Sequence, residues 1–138
     1  VLACCDPPEQ SESQIEVLGN LIDSNFDRNA LAAYAHAGNN LIVEHILDNP
    51  DWLPELKELF QPFDVYFVGL HCDLEALKQR EIARGDRPIG SAEQDFHSVH
   101  VDRVYDLEIR NTASTEHNVT AILEGWRSGI RKSEFATR

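Results

Sequence analysis

The sequence has no methionine, few cysteines and half as many basic as acidic residues. Its 12 Lys and Arg stand against 24 Asp and Glu, giving a net charge of −12. This argues against nonspecific binding to nucleic acid or to anionic membranes, which requires clustered positive charge. Cys4, Cys5 and Cys72 are too few and too irregularly spaced for a disulfide framework or a zinc site. A reducing, cytoplasmic setting is the simplest expectation.

Two further absences concern targeting and the start of the chain. No apolar run approaches the roughly 18 residues that a membrane span needs, and residues 1–10 lack the basic start and apolar stretch of a signal peptide. Because Met is absent even at position 1, we expect that residues are missing upstream. The 138 residues, 42% of them apolar, predict a single domain over residues 1–138, or part of one.

Helical and strand-like patterns alternate along the chain. The helical spacing of apolar residues predicts helices over 15–34, 50–60, 73–83, 91–103 and 115–132, with a frayed tail at 133–138. Short apolar runs predict strands over 41–43, 64–70 and 105–109. Alternating helices and buried strands predict an α/β domain with a parallel sheet. Three strands are fewer than the usual five or six, so we expect an incomplete domain.

Half of the twelve basic residues lie in one stretch of the second half of the chain. Within it, Arg80, Arg84 and Arg87 are spaced i, i+4 and i+7, so they project from one face if the helix persists. Guanidinium groups grip phosphate oxygens in pairs, and three of them before a glycine-containing loop indicate a mobile cap over a triphosphate. The alternative is a solvated helix face in which Arg80 and Arg84 pair with Glu81, Asp86 or other surface acids.

Several motifs together resemble one family over roughly residues 28–125. They are AGNNLIVE at 37–44, VYFVGLHCD at 65–73, REIARGDR at 80–87, a helix carrying Val99-His100, and YDLE at 105–108. In type and spacing they resemble the C-terminal part of the chloramphenicol phosphotransferase-like family of P-loop kinases.

The resemblance implies a fold and an activity. The fold is α/β, a P-loop kinase-like parallel sheet with helices on both faces, incomplete at the N-terminus, with a lid over about residues 80–100. The implied activity moves the γ-phosphate of ATP, aided by Mg²⁺, to a hydroxyl of a small molecule such as a chloramphenicol-like antibiotic. The resemblance also implies that the lid carries three arginines near the nucleotide, Arg80, Arg84 and Arg87. Arg84 and Arg87 would act in the transfer of the phosphoryl group. Membership of the shikimate, gluconate or nucleoside-monophosphate kinase branch stays open as an alternative.

The resemblance also gives roles to Glu44 and Thr112. Glu44 follows a buried strand, at the edge where open α/β sheets bind ligands, so it is a candidate to hold magnesium through water or to orient the acceptor hydroxyl as general base. Alternatively, Glu44 caps the next turn and His45 is a partly exposed neighbour. Thr112 lies in the loop that often borders the adenine. His97 and His100 are three apart on a predicted helix, but no third ligand is evident, so we predict no metal site there.

Two features of the family are missing from this sequence. None of the seven glycines is followed by Lys, so the Walker A loop G-x-x-x-x-G-K-[ST] is absent, and only Asp6 is an early candidate for the family's aspartate base. Without the central Walker A strand, the strands at 41–44 and 64–70 should leave an empty slot between them. The unpaired edges would favour a homo-oligomer, and a filled slot would contradict the kinase interpretation.

The missing loop leaves two functions open. The parent protein is expected to be a kinase whose 138-residue segment alone should not hydrolyse ATP efficiently. The alternative is a non-catalytic, degenerate remnant that serves as a binding or interaction module.

Overall fold

A computed structural model describes residues 2–4, 15–19, 25–110 and 114–136. The strands in these ranges are β1 (Leu2–Cys4), β2 (Ile15–Gly19), β3 (Asn40–Glu44), β4 (Val65–His71) and β5 (Leu107–Arg110). The helices are α1 (Asn25–His36), α2 (Trp52–Leu59), α3 (Leu74–Arg84), α4 (Ser91–Ser98) and α5 (Thr115–Arg127).

The strands form one sheet in the order β2-β3-β1-β4-β5. Because β1 is antiparallel to both β3 and β4, these two strands run in the same direction. Strand β2 is parallel to β3, and β5 is parallel to β4. Four strands are therefore parallel to one another, and β3, β4 and β5 end at the same edge with Glu44, His71 and Arg110.

Helices pack on both faces of the sheet, as predicted, and β4 shows why. Its alternate residues Val65 and Phe67 join the core beneath α1 and α2, whereas Tyr66 and Val68 join a second core with residues of α5. A strand buried on both faces must be apolar throughout, and this is why the run at 64–70 was recognisable in the sequence.

The empty slot beside β3 is a wrong prediction. Strand β1 occupies it, with Leu2 opposite Val43 on one side and Phe67 on the other. Pairing engages residues 41–43 of β3 and 65–67 of β4, so the fully unpaired inner edges on which the expected homo-oligomer depended are not present. The antiparallel direction of β1 also distinguishes it from a strand that enters a crossover helix of a parallel sheet, which would run with its neighbours.

The predicted helix over residues 15–34 is wrong in its first part. Residues Ile15–Gly19 form β2, which pairs with β3 from Asn40 to Glu44, and the helix begins only at Asn25. Over five residues the apolar positions fit both a helical and an alternating pattern, so the pairing with β3 decides. The count of three strands was too low for the same reason, because β1 and β2 are added by pairing.

The sequence predicted the end of a helix correctly where a local signal marks that end, and incorrectly where none does. Asp73 and Gly85 flank α3, and Gly85 and Gly38 have the positive φ of helix-ending glycines. In contrast, α4 ends at Ser98 rather than near residue 103. Helix α5 ends at Arg127 rather than near residue 132, because Gly129 adopts φ +69° and turns the chain.

The predicted frayed tail is wrong over residues 133–136. Ser133 is buried, and its N–H donates to Asp106 Oδ1 at 2.9 Å. Phe135 packs edge-on against Phe67 with ring centroids 5.2 Å apart. These contacts tie the segment to the sheet. Asp6, the early candidate for the family's aspartate base, lies outside the described residues.

Candidate functional site

The carboxyl edge of the sheet carries a small cavity beside the end of β4. It has a volume of about 230 Å³ and is lined by His71, Cys72, Asp73, Leu74, Phe96 and Arg110. Phe96 comes from α4, so the hairpin of α3 and α4 lies against this edge of the sheet. Ligands of open α/β sheets bind at such an edge. A larger cavity of about 350 Å³ lies at the opposite end of β4, where Arg131 is already paired with Asp64.

The predicted lid corresponds to the hairpin of α3 and α4, which carries the three arginines. Arg80 and Arg84 are exposed on α3, one helical turn apart. The helix does not persist to Arg87, because Gly85 adopts φ +65° and ends it. The expectation of a shared helical face therefore holds for two arginines and fails for the third. Arg87 lies in the loop, with Nη1 3.3 Å from Asp95 Oδ2 of α4.

Glu81 differs from the surface acid that the sequence indicated. It is only 8% exposed, and its carboxylate accepts the backbone N–H groups of Gly90 at 2.9 Å and of Ala92 at 2.7 Å. These two hydrogen bonds hold the pKa of Glu81 below its ordinary value. The interaction joins residues nine and eleven positions apart across a loop, so helical spacing alone could not reveal it.

A cluster of polar rings connects the end of α4 to β4. The imidazole of His100 lies against that of His71, with ring centroids 4.0 Å apart, and its Nδ1 is 2.7 Å from the Tyr105 hydroxyl. His71 Nε2 is 3.1 Å from Glu108 Oε1. Burial, followed by the charge of His71, lowers the pKa of His100, while burial raises the pKa of Tyr105 to about 12. The phenol therefore stays neutral and shares a hydrogen bond with the imidazole of His100.

This cluster accounts for His100 without a metal. Among the described residues, no three His, Cys, Asp or Glu side chains are grouped so that they could hold a metal ion. His97 is exposed on α4 beside Phe96.

Glu44 is exposed at the carboxyl end of β3, at the same edge as the cavity. The following residue, His45, is partly exposed, as the alternative interpretation expected. Its Nδ1 accepts the N–H of Leu47 at 2.9 Å, and its ring meets Trp52 edge-on at 4.7 Å. Burial lowers the pKa of His45. Thr112, the remaining candidate, lies outside the described residues.

Comparison with known proteins identifies the family. A model described as "Chloramphenicol phosphotransferase-like protein" matches residues 9–127. The chain belongs to the chloramphenicol phosphotransferase-like family. The recognised motifs and the α/β, P-loop kinase-like fold are thereby confirmed. The expectation that a filled slot beside β3 would contradict the kinase interpretation was wrong, because the family match stands although β1 fills the slot.

Two relatives from Mycobacterium tuberculosis extend the comparison. They are "Putative O-phosphotransferase MT2714" of strain CDC 1551 / Oshkosh and "Putative O-phosphotransferase Rv2636" of strain ATCC 25618 / H37Rv. Each is 32% identical to this chain over 90 residues, which cover 65% of this chain and 40% of the relative. The matched segment is thus less than half of either relative. No solved structure gives a significant match.

The family name indicates a transferase of phosphoryl groups.

Among the described helices, none combines the length and the apolar character needed to cross a membrane.

Proposed function

We propose that the protein is an ATP-dependent phosphotransferase that acts on a hydroxyl of a small molecule. The observation that carries the proposal is the position of the arginine-bearing hairpin. It leaves the sheet directly after His71, and Phe96 of its second helix lines the cavity at the carboxyl edge. In a chain of this family, such a hairpin supports the role of a lid that closes over the nucleotide.

The described residues fit part of a nucleotide site. Arg80 and Arg84 are exposed cations, and Arg87 forms an ion pair with Asp95 in which the arginine side chain is 47% exposed. Their guanidinium groups suit phosphate oxygens. A bound Mg²⁺ would neutralise phosphate charge and needs only one or two protein carboxylates besides the phosphates, so Glu44 suits it as a single ligand. The backbone cradle of a Walker A loop has no counterpart in this sequence.

Each candidate residue of the chain would then have its own role in the transfer. Arg84 and Arg87 would bind the negative charge that develops on the transferring group, where fixed cations contribute most. Arg80 would hold the nucleotide, and Thr112 would border its base. Glu44, at the end of β3, would orient the acceptor hydroxyl and take its proton as general base. The lid would exclude water, which otherwise competes as acceptor.

The acceptor is proposed as a neutral hydroxyl compound, and chloramphenicol is the first to test. The charge of −12 disfavours nucleic acid as partner, and we propose that the protein acts in the cytoplasm.

The test compares wild type with Arg84→Ala in the protein expressed with every residue that its gene encodes. Binding of Mg-ATP is measured by calorimetry, and turnover is measured with chloramphenicol and with water as acceptor. Loss of one transition-state cation should reduce kcat by about a hundredfold or more. Arg127→Ala, an exposed arginine at the end of α5, is the matched control and should retain turnover. Equal turnover of wild type and Arg84→Ala would remove the lid arginine from the mechanism.

A non-catalytic binding module is the second candidate, favoured by the absence of any Gly-Lys pair. It predicts no measurable affinity for Mg-ATP in the same calorimetry.

A further inference from the structure

Glu81 is a buried carboxylate between two exposed arginines. Arg80 precedes it and Arg84 follows one turn later on α3, yet its partners are backbone groups of a different helix. Oε2 accepts the N–H of Gly90 at 2.9 Å, and Oε1 accepts the N–H of Ala92 at 2.7 Å. Each oxygen therefore has its own donor at the start of α4.

The start of α4 needs this external partner. Its N-cap residue is Gly90, which has φ +100° and no side chain to accept an N–H. The first N–H groups of a helix have no partner within the helix, and they favour a negative charge. Glu81 therefore supplies from α3 the cap that Gly90 cannot provide.

The same contacts fix both ends of the loop that carries Arg87. The loop begins at Gly85, one residue after Arg84, and ends at Gly90. Every residue from 85 to 90 is exposed, so packing does little to set its path. A single side chain thereby ties the last turn of α3, with Arg84, to the far end of the loop.

Two ion pairs across the hairpin are weaker restraints. Lys78 and Glu93 form an ion pair of 3.1 Å with side chains 34% and 49% exposed. Arg87 and Asp95 approach to 3.3 Å. Exposed pairs of this kind contribute little to stability, whereas the Glu81 hydrogen bonds are charge-assisted and shielded.

We propose that Glu81 is a positioning residue for phosphoryl transfer, because its clamp on Gly90 and Ala92 sets the directions from which Arg84 and Arg87 approach the phosphates. This inference rests on the proposed function. Small displacements of a cation from the transferring group weaken catalysis strongly, so a clamp far from the phosphorus atom still governs the rate.

The experiment is a mutant cycle in the protein expressed with every residue that its gene encodes. Glu81→Ala and Glu81→Gln are made in the wild type and in an Arg84→Ala/Arg87→Ala background. Turnover is measured with Mg-ATP and chloramphenicol, and with water as acceptor, alongside thermal unfolding. Gln retains one acceptor oxygen and keeps the side chain's size, so it remains informative if the Ala variant does not fold. Glu93→Ala breaks the other carboxylate contact between the same two helices and is the matched control.

We expect Glu81→Ala to lower kcat about tenfold to a hundredfold in the wild type, with KM for ATP changed much less. Glu81→Gln should lie between the Ala variant and the wild type, and Glu93→Ala should stay within about twofold. Without Arg84 and Arg87, the Glu81 substitutions should have no further effect, because a residue that acts through them cannot act in their absence.

Equal fold losses in both backgrounds would overturn the inference, since a purely structural role lowers activity whether or not the arginines are present. Unchanged kcat in a folded Glu81→Ala or Glu81→Gln variant would also overturn it. Both results leave the proposed function intact, provided that the double arginine variant is impaired. Absence of Mg-ATP binding and turnover in the wild type would instead refute the proposed function, and this inference with it.

Discussion

Asp106 Oδ1 accepts the backbone N–H of Ser133 at 2.9 Å and thereby joins the start of the last strand to the end of the described chain. The same carboxylate also accepts the N–H groups of Lys132 and of Phe67, the latter at 2.8 Å. One buried side chain thus satisfies three backbone donors from two distant segments. The contact explains why residues 133–136 are ordered against the sheet although their sequence resembles a tail.

Replacing Asp106 should destabilise the protein. Asp106→Ala removes the acceptor of three N–H groups in a buried setting, and we expect a loss of about 2–4 kcal/mol in the free energy of unfolding, measured by urea denaturation. Asp106→Asn retains one acceptor oxygen and should lose less. Glu124→Ala, at an exposed position of α5, should change the value by less than about 0.5 kcal/mol. A similarly small change for Asp106→Ala would show that the C-terminal segment is held by other contacts.

His100 should titrate below the ordinary histidine pKa of 6.5. Because burial favours its neutral form, its stabilising contribution is present above pH 6.5 and is lost as the pH falls from there through its folded-state pKa. The imidazole signal of His100 in NMR should therefore have a titration midpoint below 6.5. A midpoint at or above 6.5 would refute this assignment.

The same argument predicts how stability changes with pH. His100→Asn places an amide group near the position of Nδ1, which can hydrogen-bond the Tyr105 hydroxyl in either direction, and removes the titrating group. Unfolding free energy should then fall less steeply between pH 7 and 5 than in the wild type. The unfolding free energy of the variant should still depend on pH to some extent, because the pKa of His45 is also lowered by burial. Equal slopes for both proteins would contradict a role for His100.

Gly69 should tolerate no larger side chain while Tyr105 is present. A Cβ at this position of β4 would lie 2.7 Å from ring carbons of Tyr105, so the ring would have to move and would weaken its contact with His100. We expect Gly69→Ala to lower the unfolding free energy by about 1–3 kcal/mol. In a Tyr105→Leu background the same substitution should be less harmful. If Gly69→Ala lowers the unfolding free energy equally in the Tyr105→Leu background, the loss arises from the strand rather than from contact with the Tyr105 ring.

Some features were predictable because their cause is local in the sequence. The apolar run of β4 shows burial on both faces, and Asp73 and Gly85 mark the start and end of α3. The family was recognised from motifs between residues 37 and 108, which the comparison confirms. The roles of Glu44, Arg84 and Arg87 rest on these motifs and stay predictions.

The remaining features required contacts between distant segments. Whether residues 15–19 form a helix or a strand depends on pairing with β3, and the place of β1 depends on two neighbours that follow it by about 40 and 60 positions. Glu81 has the same sequence neighbours whether it is a surface acid or a helix cap. Only the position of the start of α4 beside α3 decides which of the two it is. The amino-acid sequence by itself determined the family of this protein, three of its strands and the presence of its helices, because periodicity and motifs are local. Tertiary structure alone decided the strand order and the partners of Glu81 and Asp106, because a carboxylate accepts whichever backbone donors the fold brings to it.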